Sequence, residues 1–160
     1  MLSVQLICVG KLKEAFYADA MAEYSKRLSA FCKLTVTELA EQRLPDAPSP
    51  AQIEAALFKE AADIRAKLPQ SGTLVALCVE GSLLSSEALA GKLEAWAVSG
   101  ASRLSFVIGG SCGLHPSIKE QASLKLSMSP MTFPHHLARV MLVEQLYRGF
   151  QINSGSKYHK

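Results

Sequence analysis

Short apolar runs alternate with stretches of helical period along the whole of this chain, and that alternation restricts the fold more than any other feature. Val4–Val9 is apolar and halts at Gly10, the pattern of a strand. Phe16, Ala20, Met21, Tyr24, Leu28 and Phe31 then recur at helical spacing, which predicts an amphipathic helix from about Glu14 to Phe31. Lys33–Leu39 reads as a second strand, and Pro45, Pro48 and Pro50 mark a loop from Glu41 to Pro50. Ser49, Pro50 and Gln52 spell a helix start with a capping box, and the stripe Ile53, Leu57, Ala61, Ile64 runs to Leu68-Pro69. Thr73–Val79 is apolar throughout, as in a strand covered on both faces. A helix capped by Ser85 or Ser86 extends to about Val98, with Gly100 beyond its end. The strand Leu104–Ile108, a short helix led by Pro116, a brief strand Leu124–Met128 and a helix from about His135 to Phe150 complete the series.

Five strand–helix alternations predict an α/β fold, with a mostly parallel sheet flanked by helices on both faces. The 160 residues suit one domain spanning 1–160, and a hydrophobic content of 49% is enough to fill its core. No apolar run approaches the ~20 residues of a membrane span. No leader pattern precedes Val4, so a cytoplasmic, soluble protein with no membrane contact is expected. Cys8, Cys32, Cys78 and Cys112 lie too far apart for a metal clip and read as buried free thiols. The four histidines lack acid or cysteine partners at ligand spacing, so no metal is expected.

In such sheets ligands bind beyond the carboxyl ends of the strands. Three loops leave those ends and point to a small-molecule pocket: Glu80-Gly81-Ser82, Gly109–Gly113 and Ser129–Pro134. Gly109-Gly110-x-x-Gly113 has neither the dinucleotide spacing nor a P-loop lysine, so it is either a tight turn or bare backbone against a ligand. Ser129–Pro134 is stiffened by two prolines and carries Met131 and Phe133, which either plug the core or wall an aromatic or thioether-bearing ligand. Charge is uneven: residues 1–80 hold nine basic and ten acidic side chains, residues 81–160 eight and four. The basic half fits a polyanionic partner. Glu144 and Arg148 stand four apart on the last helix, in the order that favours an ion pair. No Gly-x-Ser-x-Gly motif occurs.

Three segments together closely resemble the large-subunit rRNA methyltransferase H family of SPOUT enzymes. They are Ile108-Gly109-Gly110-Ser111-x-Gly113-Leu114, Leu126-Ser127-x-Ser129-x-Met131-Thr132-Phe133-Pro134-His135, and Arg139-Val140-x-Leu142-x-Glu144-Gln145-Leu146-Tyr147-Arg148. The likeness extends from Val9-Gly10-Lys11-Leu12-Lys13 to Tyr158-His159-Lys160. It implies a SPOUT-type fold with a C-terminal trefoil knot, a homodimer, and methylation of N3 of a pseudouridine in a 23S rRNA stem-loop on the assembled ribosome. It implies S-adenosylmethionine as cofactor, held by Leu77, Gly109, Met128, Ser129, Pro130, Met131, Thr132 and Phe133. Pro130 and Gly149 depart from the family pattern, and Gly149 should weaken its helix by about 0.5–1 kcal/mol relative to alanine.

Methylating an imide nitrogen requires loss of its proton, for which His135 and Glu144 are the candidate bases. Arg139 and Arg148 are candidates to steady the anion or grip phosphate, and Lys157, Tyr158, His159 and Lys160 to contact RNA. The competing reading is a non-catalytic ribosome assembly factor that keeps the cofactor pocket. A different nucleotide-binding α/β enzyme is disfavoured by the missing phosphate motif.

Overall fold

The computed structural model describes residues 1–160. Its elements are β1 Leu2–Val9, α1 Ala15–Leu28, β2 Cys32–Leu39, α2 Pro50–Lys67, β3 Thr73–Leu83, α3 Ser86–Val98, β4 Arg103–Ile108, α4 Pro116–Gln121, β5 Leu124–Ser127 and α5 His135–Asn153. The strands form one sheet in the order β2-β1-β4-β3-β5, every pairing parallel.

Strand alternation divides the apolar side chains between two cores. Val4, Leu6 and Cys8 of β1 join Leu104, Phe106 and Ile108 of β4 beneath α1, α3 and α5. Ile7, Val9 and Val107 face the other way, toward Ala61 and Ile64 of α2 and Ile118 of α4. A parallel sheet needs cover on both faces, which explains why β1, β3 and β4 read as continuous apolar runs.

The capping box of α2 is formed in full, with the Gln52 N–H donating to Ser49 Oγ at 3.2 Å and the Ser49 N–H to Gln52 Oε1 at 2.8 Å. Ser85, not Ser86, caps α3, by accepting from the Ala88 N–H at 3.0 Å. Two expectations from sequence need correction. Phe31 lies outside α1, in the turn before β2, where its ring stacks on Phe150 at 5.7 Å; its apolar spacing reported packing rather than helix. Glu80-Gly81-Ser82 is no loop, because β3 runs on to Leu83. Leu126 of β5 opposes both Leu77 and Ser82, so the residues between them bulge, and a Cβ on Gly81 would stand 2.7 Å from the Lys125 carbonyl. Gly149 lies where α5 passes close to α3. A Cβ there would come within 2.7 Å of Leu93 Cδ1, so the bare backbone lets α5 settle against α3.

The expectation of four buried thiols holds for two of them. Cys8 and Cys32 are buried, Cys78 is half-buried and Cys112 is exposed, since the last two sit at the carboxyl edge where the helical layers end.

Arg139 departs most from expectation. It was a candidate for RNA contact, but it is only 1% exposed and belongs to the architecture. Its Nη1 donates to Glu38 Oε2 of β2 at 2.5 Å and its Nη2 to the Gly10 carbonyl after β1 at 3.0 Å. Glu38 Oε2 also accepts from the Leu12 N–H at 3.0 Å. A guanidinium so enclosed cannot reach a phosphate; it fastens the start of α5 to the ends of two strands. Burial alone would raise the Glu38 carboxyl, but the hydrogen bonds from Arg139 and Leu12 and the charge of Arg139 hold it below its ordinary value of 4.5. Replacing Arg139 with alanine should therefore cost about 2–4 kcal/mol, somewhat under the cost of breaking a fully buried pair because Glu38 keeps contact with water. The depressed carboxyl adds a pH signature measurable by urea unfolding. Its stabilisation is present above 4.5 and is lost as pH falls through the lower folded value, and Arg139→Ala should flatten that acid limb.

Candidate active site

The carboxyl edge of the sheet opens into a cleft of about 680 Å³, within the range of small-molecule sites. One wall is the end of β3 from Leu77 to Glu80, the floor is Gly109–Leu114, and the opposite rim is Met128 to His135.

The floor is made of backbone because side chains would not fit. A Cβ on Gly109 would collide with the Gly113 carbonyl, and Gly113 adopts a φ of +78°, which favours glycine. Gly110 is closed off by a residue the sequence reading missed, Glu41 of the loop after β2. A Cβ on Gly110 would lie 2.5 Å from Glu41 Oε1. That oxygen accepts from both the Ser111 N–H at 2.8 Å and the Ser111 hydroxyl at 2.6 Å. Burial pulls the Glu41 carboxyl upward, but the two Ser111 hydrogen bonds together with His135 and His136 outweigh it and hold it below its usual value. Behind it, buried Glu60 of α2 accepts from the Gln42 N–H at 2.8 Å and so fixes the segment that carries Glu41. Nothing local in the sequence marks a glutamate 70 residues upstream as the clamp of a glycine loop.

The rim is held by its serines. Ser127 Oγ donates to the Ser129 carbonyl at 3.1 Å, and Ser129 Oγ accepts from the Met131 N–H at 2.9 Å. Of the residues expected around a cofactor, Leu77, Gly109, Met128, Ser129, Met131, Thr132 and Phe133 line this cleft. Pro130 does not; it is exposed and outside the lining, and its ring shapes the turn rather than the pocket. Met131 is 72% exposed at the mouth, an apolar side chain available to a ligand. Lys119 and Glu80 pair at 2.5 Å and supply a charged corner. No group of three or more His, Cys, Asp or Glu side chains is gathered to hold a metal.

His135 stands at the cleft in the first turn of α5. Burial, reinforced by neighbouring His136, lowers its pKa below the ordinary 6.5, leaving a neutral imidazole at neutral pH. Glu144 follows nine residues later, which places it half a helical turn out of phase and about 13 Å along the axis. It lines a second cleft of about 520 Å³ with Tyr24, Leu84, Val140 and Met141, and Leu126 and Met128 border both spaces. The expected catalytic group His135, Glu144 and Arg148 is therefore divided between two faces of α5. Glu144 Oε1 is committed to Arg148, accepting from Nε at 3.0 Å and Nη2 at 2.6 Å, and from the Tyr158 hydroxyl at 3.2 Å.

The C-terminal residues fold back on this ion pair. Arg148 lies 4.9 Å over the Tyr158 ring, and His159 bridges Arg148 at 3.1 Å and Glu87 of α3 at 2.7 Å. Lys157 and Lys160 remain exposed and form no ion pair.

The fold and cleft define an open, all-parallel α/β protein whose small-molecule site lies at the carboxyl edge beside a glycine floor. A family model described as "Predicted SPOUT methyltransferase" matches residues 2–159, and the chain belongs to that family. Among its relatives, the "Ribosomal RNA large subunit methyltransferase H" of Streptococcus equi subsp. zooepidemicus is 48% identical over 159 residues, 99% of this chain and 100% of that protein. The protein of the same name from Leuconostoc mesenteroides is 45% identical over the same shares. A solved structure described as a probable methylase family protein from Haemophilus influenzae Rd KW20 superimposes with a TM-score of 0.55 at 14% identity, covering 100% of this chain and 72% of that one; the likeness is one of fold.

Two outcomes follow from this geometry. Both Ser111 donors use one oxygen of Glu41, so Glu41→Gln should keep the floor closed, whereas Glu41→Ala should speed hydrogen exchange at the Ser111 amide by about tenfold or more. Burial pushes the Cys8 thiol up to about 12 and that of Cys32 up to about 11. Alkylation of the folded protein near pH 8 should label Cys112 first and leave Cys8 and Cys32 unmodified until unfolding, as peptide mass mapping would reveal.

Proposed function

We propose that this methyltransferase uses S-adenosylmethionine to methylate N3 of a pseudouridine in a 23S rRNA stem-loop on the assembled ribosome. We read it as a homodimer of single-domain subunits, each knotted near the C-terminus and working in the cytoplasm. The observation that carries the cofactor assignment is the pairing of a glycine-rich floor with an apolar rim in a cleft of about 680 Å³. The backbone of the glycine-rich segment Gly109–Gly113 suits the polar edges of an adenine, and Leu77, Met128, Met131 and Phe133 suit its faces and a thioether-like chain. The cleft lacks the glycine pattern that would favour a phosphate-bearing cofactor instead. When bound, S-adenosylmethionine supplies an electrophilic methyl group on its sulfonium.

The protein's own contribution is orientation and one proton. His135, neutral and at the cleft, is positioned to accept the N3 proton of the base, whereas Glu144 is occupied by Arg148 on the other side of α5. Arg148, Tyr158 and His159 form a tied edge beside Lys157 and Lys160, which suits stacking and phosphate contact. A second copy of the chain is our proposed cover for the cleft beside α5, where Leu84, Val140 and Met141 are only partly buried.

Incubation with labelled S-adenosylmethionine and ribosomes lacking the modification tests the assignment, and absence of label in 23S rRNA at saturating cofactor would refute it. His135→Ala should lower kcat by about 100-fold or more while leaving the dissociation constant of the cofactor, from calorimetry, nearly unchanged. The neutral imidazole is the active form, so kcat/KM should fall as pH drops below the folded His135 value, under 6.5, and the variant should lose that limb. Gly109→Val should instead abolish cofactor binding, because its Cβ would collide with the Gly113 carbonyl and force the floor out of shape.

A further inference from the structure

The opposite end of the sheet carries a second polar site that the proposed chemistry does not use. At the amino edge, Ser3 of β1 is in register with Lys33 of β2 and with Arg103 of β4. Two residues further in, Gln5 is in register with Thr35 and Ser105. Side chains paired across parallel strands point to one face, so these six form a polar array on the sheet surface. Further along the same face, Ile7, Val9 and Val107 are buried core. The change from apolar to polar falls where α2 ends. Gln5 Nε2 donates to the Lys67 carbonyl at 3.2 Å and Gln5 Oε1 accepts from Ser105 Oγ at 3.3 Å, and beyond them the sheet face opens into a groove of about 290 Å³.

An uncovered sheet edge requires polar residues, but it does not require a single sign of charge. Lys33, Arg103 and Lys67 come from three separate elements and all line this groove, and no acidic side chain lines it. All three are exposed, and none takes part in an ion pair anywhere in the chain. With strands about 4.8 Å apart, the roots of Lys33 and Arg103 stand about 10 Å apart across β1, near enough to straddle adjacent phosphates. No aromatic side chain lines the groove, so it offers nothing to stack on a base.

We infer that this groove is a docking track for the phosphate backbone of RNA. It lies about 25 Å from the cofactor cleft, the length of an eight-residue strand. The inference rests on the rRNA reading above and adds to it a contact that positions the protein without reading sequence. Lys33, Lys67 and Arg103 grip phosphate, while the hydroxyls of Ser3 and Thr35 offer further hydrogen bonds.

The test compares the wild-type protein with the triple variant Lys33→Gln, Lys67→Gln, Arg103→Gln in ribosome binding over a range of KCl concentrations. A control removes the same charge elsewhere through Lys26→Gln, Lys59→Gln, Lys92→Gln, all exposed residues outside any ion pair. The groove variant should bind ribosomes about tenfold or more weakly, with its log–log salt slope reduced by about two to three, and the control should change little. Cofactor affinity and melting temperature of the groove variant should match wild type, since these side chains touch neither core. Wild-type affinity and slope in the groove variant, or an equal loss in the control, would overturn the track while leaving the rRNA assignment standing. Failure of the wild-type protein to bind ribosomes at all would overturn both. Inorganic pyrophosphate separates a compact phosphate pocket from a backbone track: saturable binding of it with no loss of ribosome binding in the variant would also overturn the inference.

Discussion

A single buried guanidinium sets the geometry of the carboxyl edge. Arg139 joins α5 to Glu38 of β2 and to the Gly10 carbonyl beyond β1, elements more than a hundred residues earlier in the chain. The rim from Met128 to Pro134 is the segment immediately before that helix, so its position relative to the glycine floor depends on where α5 is fastened. A cation in this place is costly to bury, and it is tolerated because two of its nitrogens find oxygen partners, one of them charged. A lysine would offer a point charge without the fork that reaches both acceptors.

The floor of the cleft is fastened by the opposite charge. Glu41 closes on Ser111 just as Arg139 closes on Glu38, and both acidic partners come from β2 or the loop that follows it. The cleft is thus lined by residues from Leu77 onward and clamped from β2 and the loop after it. That accounts for a first half that is slightly acidic and yet lies next to the chemistry: part of its negative charge is turned inward. Helix α5 then serves two spaces, presenting His135 to one and Glu144 to the other, with Leu126 and Met128 as the partition.

Periodicity made the ten elements legible, since apolar runs such as Leu104–Ile108 and stripes such as Ile53–Ile64 report burial directly. Local chemistry made the Ser49 cap legible, and family likeness together with glycine and proline placement located the cleft. What remained hidden depended on partners distant in sequence. Arg139 looks like any helical arginine until Glu38 and Gly10 are set beside it. Glu41 lies in a proline-rich stretch that reads as an ordinary loop. Glu80-Gly81-Ser82 has turn composition, but Lys125 and Leu126 alongside convert it into a bulged strand. The separation of His135 from Glu144 was available from helical phase alone, because nine residues make two and a half turns.

The strand order has a consequence for how the chain comes into being. β1 is flanked on one side by β2, some thirty residues later, and on the other by β4, a full hundred residues later. At ordinary rates of synthesis, about 5–20 residues per second, the second flank of β1 stays vacant for about 5–20 seconds after the strand is made. During that interval its unpaired amides and carbonyls, and the apolar Ile7 and Val9, are exposed to any neighbouring strand. Nascent chains of this protein are accordingly at their most vulnerable in mid-translation, and the residues that end the danger are Arg103–Ile108.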